Sequence, residues 1–459
     1  MNNEKNYQNY NAASKKTGTI ILAVTILLTI LLITVLIFSK TNTDSEVYPI
    51  EEIRAAMSSE PLYKETVSSY LQVWKFPSFE KSLLDAVEST FERYYYLELP
   101  EERNMATNTA NIFLDNYYNN INLEDPEAVS LALVDSFIAA TNDKYAFYRT
   151  APETEDYQTD MSGNFVGIGI TVLKNDESKT ILVTSVEPGS PAEKAGMRKD
   201  DYIVAVDGTR VSDTTTADIV SKIRGEVGTA VSVTVLRGTE EKTFEVTREL
   251  IIEMTVTHSI IEGGTVGYIK IHSFKDNTAS QFVEAYTAIE AAGVESVIFD
   301  VCGNPGGYLH SVCDILSYLV PTGTPIAYFS SSKSTMYATS GSDHEFEKVD
   351  HVMDIPAVVL CNSSSASGAE LFAAAMRDYR ETGLIECTIM GETTYKKGVM
   401  QSTLTFTDNS TLTLTTAYYN PPSNVNFDGV GVSPDIYLNA GTDYIIAALE
   451  ELGKISVKN

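Results

Sequence analysis

The apolar positions change their period several times along this chain. Residues 20–38, IILAVTILLTILLITVLIF, form an unbroken apolar run without charge, Gly or Pro. Its 19 residues, at about 1.5 Å each, reach roughly 28 Å, close to the hydrocarbon thickness of a bilayer. The run is longer than the apolar region of a cleaved leader, no small-residue cleavage pattern follows Phe38, and Lys15 and Lys16 precede it. It therefore predicts a signal anchor over 19–39, which leaves a cytoplasmic tail at 1–18 and exports the remainder. Residues 45–65 are polar and read as a stalk. From about Phe76 to Tyr148, as in FEKSLLDAVESTFERYYYL and PEAVSLALVDSFIAATND, apolar residues recur at three and four, with Pro126 where a first helical turn accepts it. This predicts a small helical region.

Near Gly163 the period becomes two. FVGIGITVLK, TILVTSVE, DYIVAVDGTRV, AVSVTVLR and KTFEVTRE predict strands rich in β-branched residues, interrupted by helices in PAEKAG and TTTADIVSKIRG. After Arg248 strands and helices alternate: GYIKIHSF, ASQFVEAYTAIEAAG, SVIFDV, SVCDILSYLV and PAVVLC. That alternation predicts a largely parallel α/β sheet with functional residues at the carboxyl ends of its strands. Two such ends stand out: Gly306 and Gly307 follow SVIFDV, while Ser363, Ser364, Ser365 and Ser367 follow PAVVLC.

Composition narrows the functional classes. With 459 residues the chain has room for two or three domains, and its formal net charge is −29. Residues 1–40 carry four lysines against one glutamate, so the remainder carries −32. A body this acidic repels phosphate backbones and anionic lipid headgroups, which argues against nucleic acid as a partner. Four cysteines, Cys302, Cys313, Cys361 and Cys387, are sparse for a disulfide framework and read as buried single thiols. Neither C-x-x-C nor H-E-x-x-H occurs, so no metal and no other cofactor is expected.

A serine at a strand-to-helix turn is placed as hydrolase nucleophiles are, although serine also serves there as a helix cap. The identity of its base decides between the two. None of His258, His272, His310, His344 and His351 falls in a triad-like pattern, and only His310, just past the glycines, is a candidate. Thirty residues after Ser367 comes Lys397, in the strand-like stretch GETTYKKGVMQ, which also holds Lys396 and has Gln401 four residues beyond Lys397. An even step returns to the same side of a strand. A lysine that loses solvation is easier to deprotonate and can then take a serine proton. Lysines in a turn are also common, and spacing alone leaves both readings open.

Resemblance separates them. The β-β-α-β-α-β-β order, with FVGIGI and SPAEKAGMRKDDYIVAVDG, resembles a PDZ domain. That implies a peptide-binding role for Val166, Gly167, Ile168, Gly169 and Ile170, with a substrate C-terminus added as a strand and its carboxylate held by loop N–H groups. These motifs, then GYIKIHSF, D-x-x-x-N-P-G-G from Asp300, S-A-S-x-x-E, GETTYKKGVMQ and GVGVSPDI, follow the order of carboxyl-terminal processing (tail-specific) proteases, which are PDZ-containing serine/lysine peptidases. The similarity runs from about Leu83 to Ile436. It implies an α/β protease core of the crotonase/ClpP-like kind at 251–459, an inserted-type PDZ domain at 156–250, and a stalk and helical region at 40–155. Carried over by position, Ser367 is the nucleophile, Lys397 the base and Gln401 the residue that orients it. The N–H groups of Gly306, Gly307 and Gly368 would form the oxyanion hole. The implied partners are proteins or peptides with exposed C-termini, the membrane through residues 20–38, and further copies of the chain, since such proteases often assemble.

Two departures bear on the site. The family usually has Arg two places after the Asp of the glycine motif, where this chain has Cys302, and Gly before the catalytic lysine, where it has Lys396. The rival expectation is a non-catalytic PDZ scaffold on a degenerate protease fold, and a histidine-dependent esterase would need His310.

Overall fold

A computed structural model of the chain describes residues 48–58, 66–97, 99–175, 180–213, 216–331, 335–339, 352–439 and 441–454. The apolar run at 20–38 lies outside them. Among the described residues no helix is long and apolar enough to cross a membrane.

The chain forms two compact units, and the first holds the described residues up to Pro152 together with Gln401–Thr415. Its main helices are α1 (Lys81–Tyr94), α2 (Glu102–Asn116) and α3 (Pro126–Ala140). The Asp125 side chain accepts the N–H groups of Glu127 and Ala128, which fixes the start of α3 one residue before Pro126. The periodic apolar residues meet in a core that includes Trp74, Phe91, Phe113 and Phe137. Sequence periodicity gave no sign that Leu412 and Leu414 complete this core, or that Phe147–Arg149 pairs antiparallel with Thr411–Thr413.

The second unit holds Glu153–Met400 and the described residues from Thr416 onward. Its first part is the predicted β domain. FVGIGITVLK, expected as one strand, is two. β1 (Asn164–Gly167) stops at Ile168 and β2 (Ile170–Asn175) begins after Gly169. Gly169 has φ +77°, and a Cβ there would lie 2.4 Å from the Ser190 Cβ, so only glycine fits this break. β2, β3 (Thr180–Val186), β4 (Tyr202–Val206), β5 (Ala230–Arg237) and β6 (Glu240–Thr247) form one sheet in that order, with helix α4 (Thr216–Ile223) between β4 and β5 in sequence. β1 pairs instead with β7 (Glu249–Ile252), making a two-stranded ribbon where the chain enters and leaves the domain.

The α/β core follows. β8 (Val256–Ile261), β9 (Val266–Ile271), β10 (Ser296–Asp300), β11 (Ala357–Cys361), β12 (Cys387–Gly391) and β13 (Ile436–Tyr437) form a six-stranded sheet in that order. β8 is antiparallel to β9 and the other neighbours are parallel. Every residue of β10 and β11 is buried. Their alternate side chains face two cores. Phe299 and Val359 join a cluster with α5 (Thr278–Ala291), α6 (Leu309–Leu319) and α7 (Gly368–Glu381), whereas Ile298, Val358 and Leu360 pack with Ala448 and Leu449 of the last helix. Cover on both faces is why these strands read as continuous apolar runs. The carboxyl ends of β10 and β11 are adjacent, since Asp300 is opposite Leu360.

Candidate active site

The serine-rich turn runs from the end of β11 to the start of α7, and its serines are not equivalent. Ser363 and Ser364 are exposed. Ser365 is fully buried, and its hydroxyl donates to the Val301 carbonyl at 2.7 Å while accepting the Asn362 N–H at 2.9 Å. It staples the turn to the end of β10. Ser367 is 9% exposed and has φ 54° and ψ −112°, outside the ordinary regions for a residue with a Cβ. Strain held at a strand-to-helix turn is the geometry of a nucleophile elbow, and persists only where surrounding contacts enforce it.

Glu370 supplies those contacts. It is fully buried on the first turn of α7 and accepts four hydrogen bonds. Oε2 receives the Ser367 N–H and the Lys397 N–H, each at 2.8 Å. Oε1 receives the Lys396 N–H at 2.6 Å and the Thr394 hydroxyl at 2.5 Å. One carboxylate thus binds the backbone of the serine turn and the backbone of the lysine loop. The loop is held on its other side as well. Gly429 N–H donates to the Lys396 carbonyl at 3.0 Å, the Tyr419 hydroxyl to the Lys397 carbonyl at 2.5 Å, and Gly398 N–H to Asp428 Oδ1 at 2.9 Å. Lys397 is half-buried and Lys396 exposed. Lys396 has φ +84°, a left-handed conformation at the position where the resembled family carries glycine.

The glycine motif abuts the serine turn. Asn304 is fully buried, donating from Nδ2 to the Ile271 carbonyl at 2.9 Å and accepting the Gly306 N–H on Oδ1 at 2.8 Å. Its own carbonyl accepts the Ala366 N–H at 2.9 Å. A Cβ on Gly306 would lie 2.7 Å from the Ser367 Cβ, and one on Gly307 2.0 Å from the Phe274 carbonyl oxygen. Both glycines are therefore required by packing. Their N–H groups differ. That of Gly306, expected as an oxyanion donor, is already bound to Asn304, while those of Gly307 and Gly368 have no partner among the described residues.

Beside Cys302, where the resembled family carries arginine, Asp300 gathers three donors. Asp300 accepts the Lys270 ammonium at 2.8 Å, the Tyr268 hydroxyl at 2.5 Å and the Cys302 N–H at 2.8 Å. Burial, then the Asp300 charge, raises the Cys302 thiol, and burial pushes Cys361 up to about 12, so neither supplies a thiolate nucleophile. The exposed His310 is paired with Asp276 at 3.0 Å. Burial, then the Lys270 charge, lowers His272, whose Nε2 lies 3.0 Å from the Thr257 hydroxyl. His344 and His351 lie outside the described residues. Gln401 belongs to the first unit, where its Nε2 donates to the Thr415 hydroxyl at 3.2 Å.

The β domain contributes a cleft of about 360 Å³ walled by Ile168, Ile170, Val220 and Ile223. Among the described residues, β2 is the edge of its sheet and pairs with β3. The Ile168 and Gly169 carbonyls accept from Ala192 and Glu187, both at 2.9 Å, while their N–H groups have no partner among the described residues. An open strand edge beside two unengaged amides suits an extended peptide ending in a carboxylate. Gly167, Ile168, Gly169 and Ile170 line this cleft. Val166 does not. It sits in the β1–β7 ribbon opposite Leu250, between Phe165 and Gly167, which both line the cleft, so the alternation of side chains along β1 turns it to the other face.

Comparison with known proteins identifies the following similarities. The description "Peptidase family S41" matches residues 265–438, and "PDZ domain" matches residues 182–237. A Staphylococcus aureus (strain N315) protein described as "Probable CtpA-like serine protease" is 30% identical over 400 residues, covering 85% of this chain and 78% of that one. A protein of the same description from Staphylococcus haemolyticus (strain JCSC1435) is 32% identical over 307 residues, covering 67% of this chain and 59% of that one. Among solved structures, a photosystem II D1 C-terminal processing protease is 24% identical, with a TM-score of 0.45, covering 78% of this chain and 92% of the other.

Proposed function

The chain belongs to peptidase family S41 and is a CtpA-like, serine-type processing peptidase, and on that premise we propose that Ser367 is its nucleophile and Lys397 its general base. The observation that carries this reading is the Glu370 carboxylate, which ties the N–H of Ser367 and the N–H of Lys397 to the same oxygen. In the proposed reaction Ser367 Oγ attacks the scissile carbonyl while its proton passes to the neutral Lys397 amine. The oxyanion is received by the N–H groups of Gly307 and Gly368, and the amine leaves with the proton from Lys397. Water, deprotonated by the same lysine, then releases the acyl group. Each oxyanion donor is typically worth about 3–4 kcal/mol of barrier. Gly306 takes a packing role in this scheme, since its N–H is occupied. Gln401 keeps the role its spacing suggests, orienting the lysine amine.

The PDZ domain would capture a substrate's exposed C-terminus along β2, and its occupancy would gate cleavage of the attached unfolded segment. Residues 20–38 would anchor the chain in a single pass, with the N-terminus cytoplasmic and the catalytic body outside. That part rests on the apolar run and its flanking lysines.

The decisive experiment incubates the full-length chain and its Ser367→Ala and Lys397→Ala variants with an unfolded protein and identifies fragments by mass spectrometry. Cleavage by the wild type alone supports the Ser–Lys scheme. Activity retained by Lys397→Ala removes the lysine from it, and an inert wild type that still binds C-terminal peptides turns the reading toward a scaffold. Gln401→Ala tests the orienting role by a fall in kcat. A variant lacking 163–250 that cleaved tailed and tail-less substrates as the wild type does would end the gating reading. Membrane fractionation, with protease added to intact cells, tests the anchor and the side on which the body lies.

A further inference from the structure

Among the described residues, one cation lining the cleft comes from the protease core. Lys275, which follows Phe274 beyond the end of β9, lines the cleft with Ile168 and Ile170, although it lies outside the PDZ domain in sequence. Its side chain is 11% exposed, and its ammonium donates to Asp160 at 3.1 Å and to Glu253 at 2.8 Å. An ammonium has three protons to donate. Two are committed here, and the third has no partner among the described residues. The other cation lining the cleft, Arg224, is bound to Asp156 at 3.0 Å.

We propose that Lys275 is the charge receptor for the terminal carboxylate of the substrate tail, acting with the unengaged amides of Ile168 and Gly169. This rests on the cleft being the tail receptor. The two amides give direction without net charge, and the lysine gives the charge that distinguishes a true C-terminus from an internal segment. Asp160 and Glu253 hold Lys275 in place while the cleft is empty. They also repel the arriving carboxylate, so Asp160, the more exposed of the two, is the partner that yields.

The position of Lys275 makes this binding event matter to catalysis. The preceding residue, Phe274, donates its N–H to the Gly306 carbonyl at 3.0 Å and accepts the Tyr308 N–H at 2.7 Å. Its carbonyl oxygen is also the atom a Cβ on Gly307 would strike. A tail that draws on the Lys275 ammonium therefore pulls one residue away from the Phe274 backbone, which bridges to the proposed oxyanion donor Gly307.

The test uses the full-length protein and two labelled heptapeptides of one apolar-ended sequence, one a free acid and the other a C-terminal amide, with binding followed by fluorescence anisotropy. The wild type should prefer the free acid at least about tenfold, the scale of one hydrogen bond to a charged group. Lys275→Met should reduce that preference to about twofold with amide binding unchanged, and Lys275→Arg should restore most of it. Asp160→Asn should tighten free-acid binding about threefold and leave the amide alone. An unchanged preference in Lys275→Met, or equal loss of both peptides, overturns the receptor role, as does an unaltered Asp160→Asn. A wild type indifferent to the amide removes the tail-receptor reading itself. At matched occupancy the free-acid peptide should raise kcat on an amidated reporter in the wild type but not in Lys275→Met, and an equal rise in both discards the link through Phe274.

Discussion

Glu370→Gln is the substitution that most directly probes how the site is assembled. It keeps the shape of a fully buried side chain and replaces one acceptor oxygen with a donor. If the new amide group takes the place of Oε2, it faces the N–H groups of Ser367 and Lys397 and both bonds are lost. If it takes the place of Oε1, it faces the Lys396 N–H and the Thr394 hydroxyl, and that hydroxyl already accepts the Val432 N–H at 2.8 Å. Either rotamer leaves at least one buried donor unpaired, and every remaining bond loses its charge assistance. Hydrogen bonds to a charged group contribute about 1.5–3 kcal/mol each, so the folded state should lose about 2–4 kcal/mol. The serine and lysine segments lose their common tether, and a misplacement of about 1 Å costs on the order of 100-fold in rate. We expect kcat to fall by about that factor with KM nearly unchanged, measured on a fluorogenic peptide, together with a lower urea midpoint. A variant with kcat within about twofold and stability within about 0.5 kcal/mol of wild type would refute the tether.

Three other outcomes follow from the same structure. Gly307→Ala, which places a Cβ 2.0 Å from the Phe274 oxygen, should abolish turnover and lower the melting temperature, whereas Gly303→Ala, with nothing within 4 Å, should cost only the about 1–2 kcal/mol of a left-handed backbone; equal effects would contradict the packing. In the PDZ domain, burial favours the neutral Asp201 carboxyl, but its bonds to Arg237 and the Arg198 N–H outweigh this and hold it below its ordinary 3.8. That stability is present above the unfolded value and is lost as pH falls through the folded one, so melting temperatures between about pH 4 and pH 2 should decline less steeply in Asp201→Asn. Glu88 is pushed from 4.5 up to about 7, chiefly by burial. Its ionisation therefore destabilises the helical unit increasingly as pH rises from 4.5 to 7, and Glu88→Gln should stabilise by about 2 kcal/mol at pH 8 but not at pH 4. The same gain at both values would count against this.

Much of the architecture is legible because local signals dominate it. Helix α3 is announced by Asp125 and Pro126, the buried strands β10 and β11 by continuous β-branched and apolar residues, and the turn at Ser367 by a strand running into a helix-favouring stretch. What stays hidden is long-range. The pattern Ser367-x-x-Glu370 reads as an ordinary capping box, and nothing local shows that the same carboxylate also binds Lys396 and Lys397 across 26 and 27 residues. The commitment of the Gly306 N–H is likewise invisible, since it depends on which way the buried Asn304 side chain turns. The split of FVGIGITVLK could have been suspected from Gly169, because one glycine inside a strand pattern often marks a break. The pairing of β1 with β7 rather than with β3 is a tertiary choice.

The open edge of β2 also determines how a tail would be counted. A strand added there is held through its backbone, and successive side chains point to opposite faces. Were the last residue held at Ile168 and Gly169 as proposed, only every second side chain would enter the groove beside Val220 and Ile223. The intervening ones face away and are free to vary. Lengthening a tail by one residue exchanges the two sets, while lengthening it by two restores the original phase about 7 Å further along. On the proposed mode of capture, such a receptor would impose a reading frame measured from the end of the substrate, so that tails differing widely in composition would be equivalent while near-identical tails of adjacent length would not.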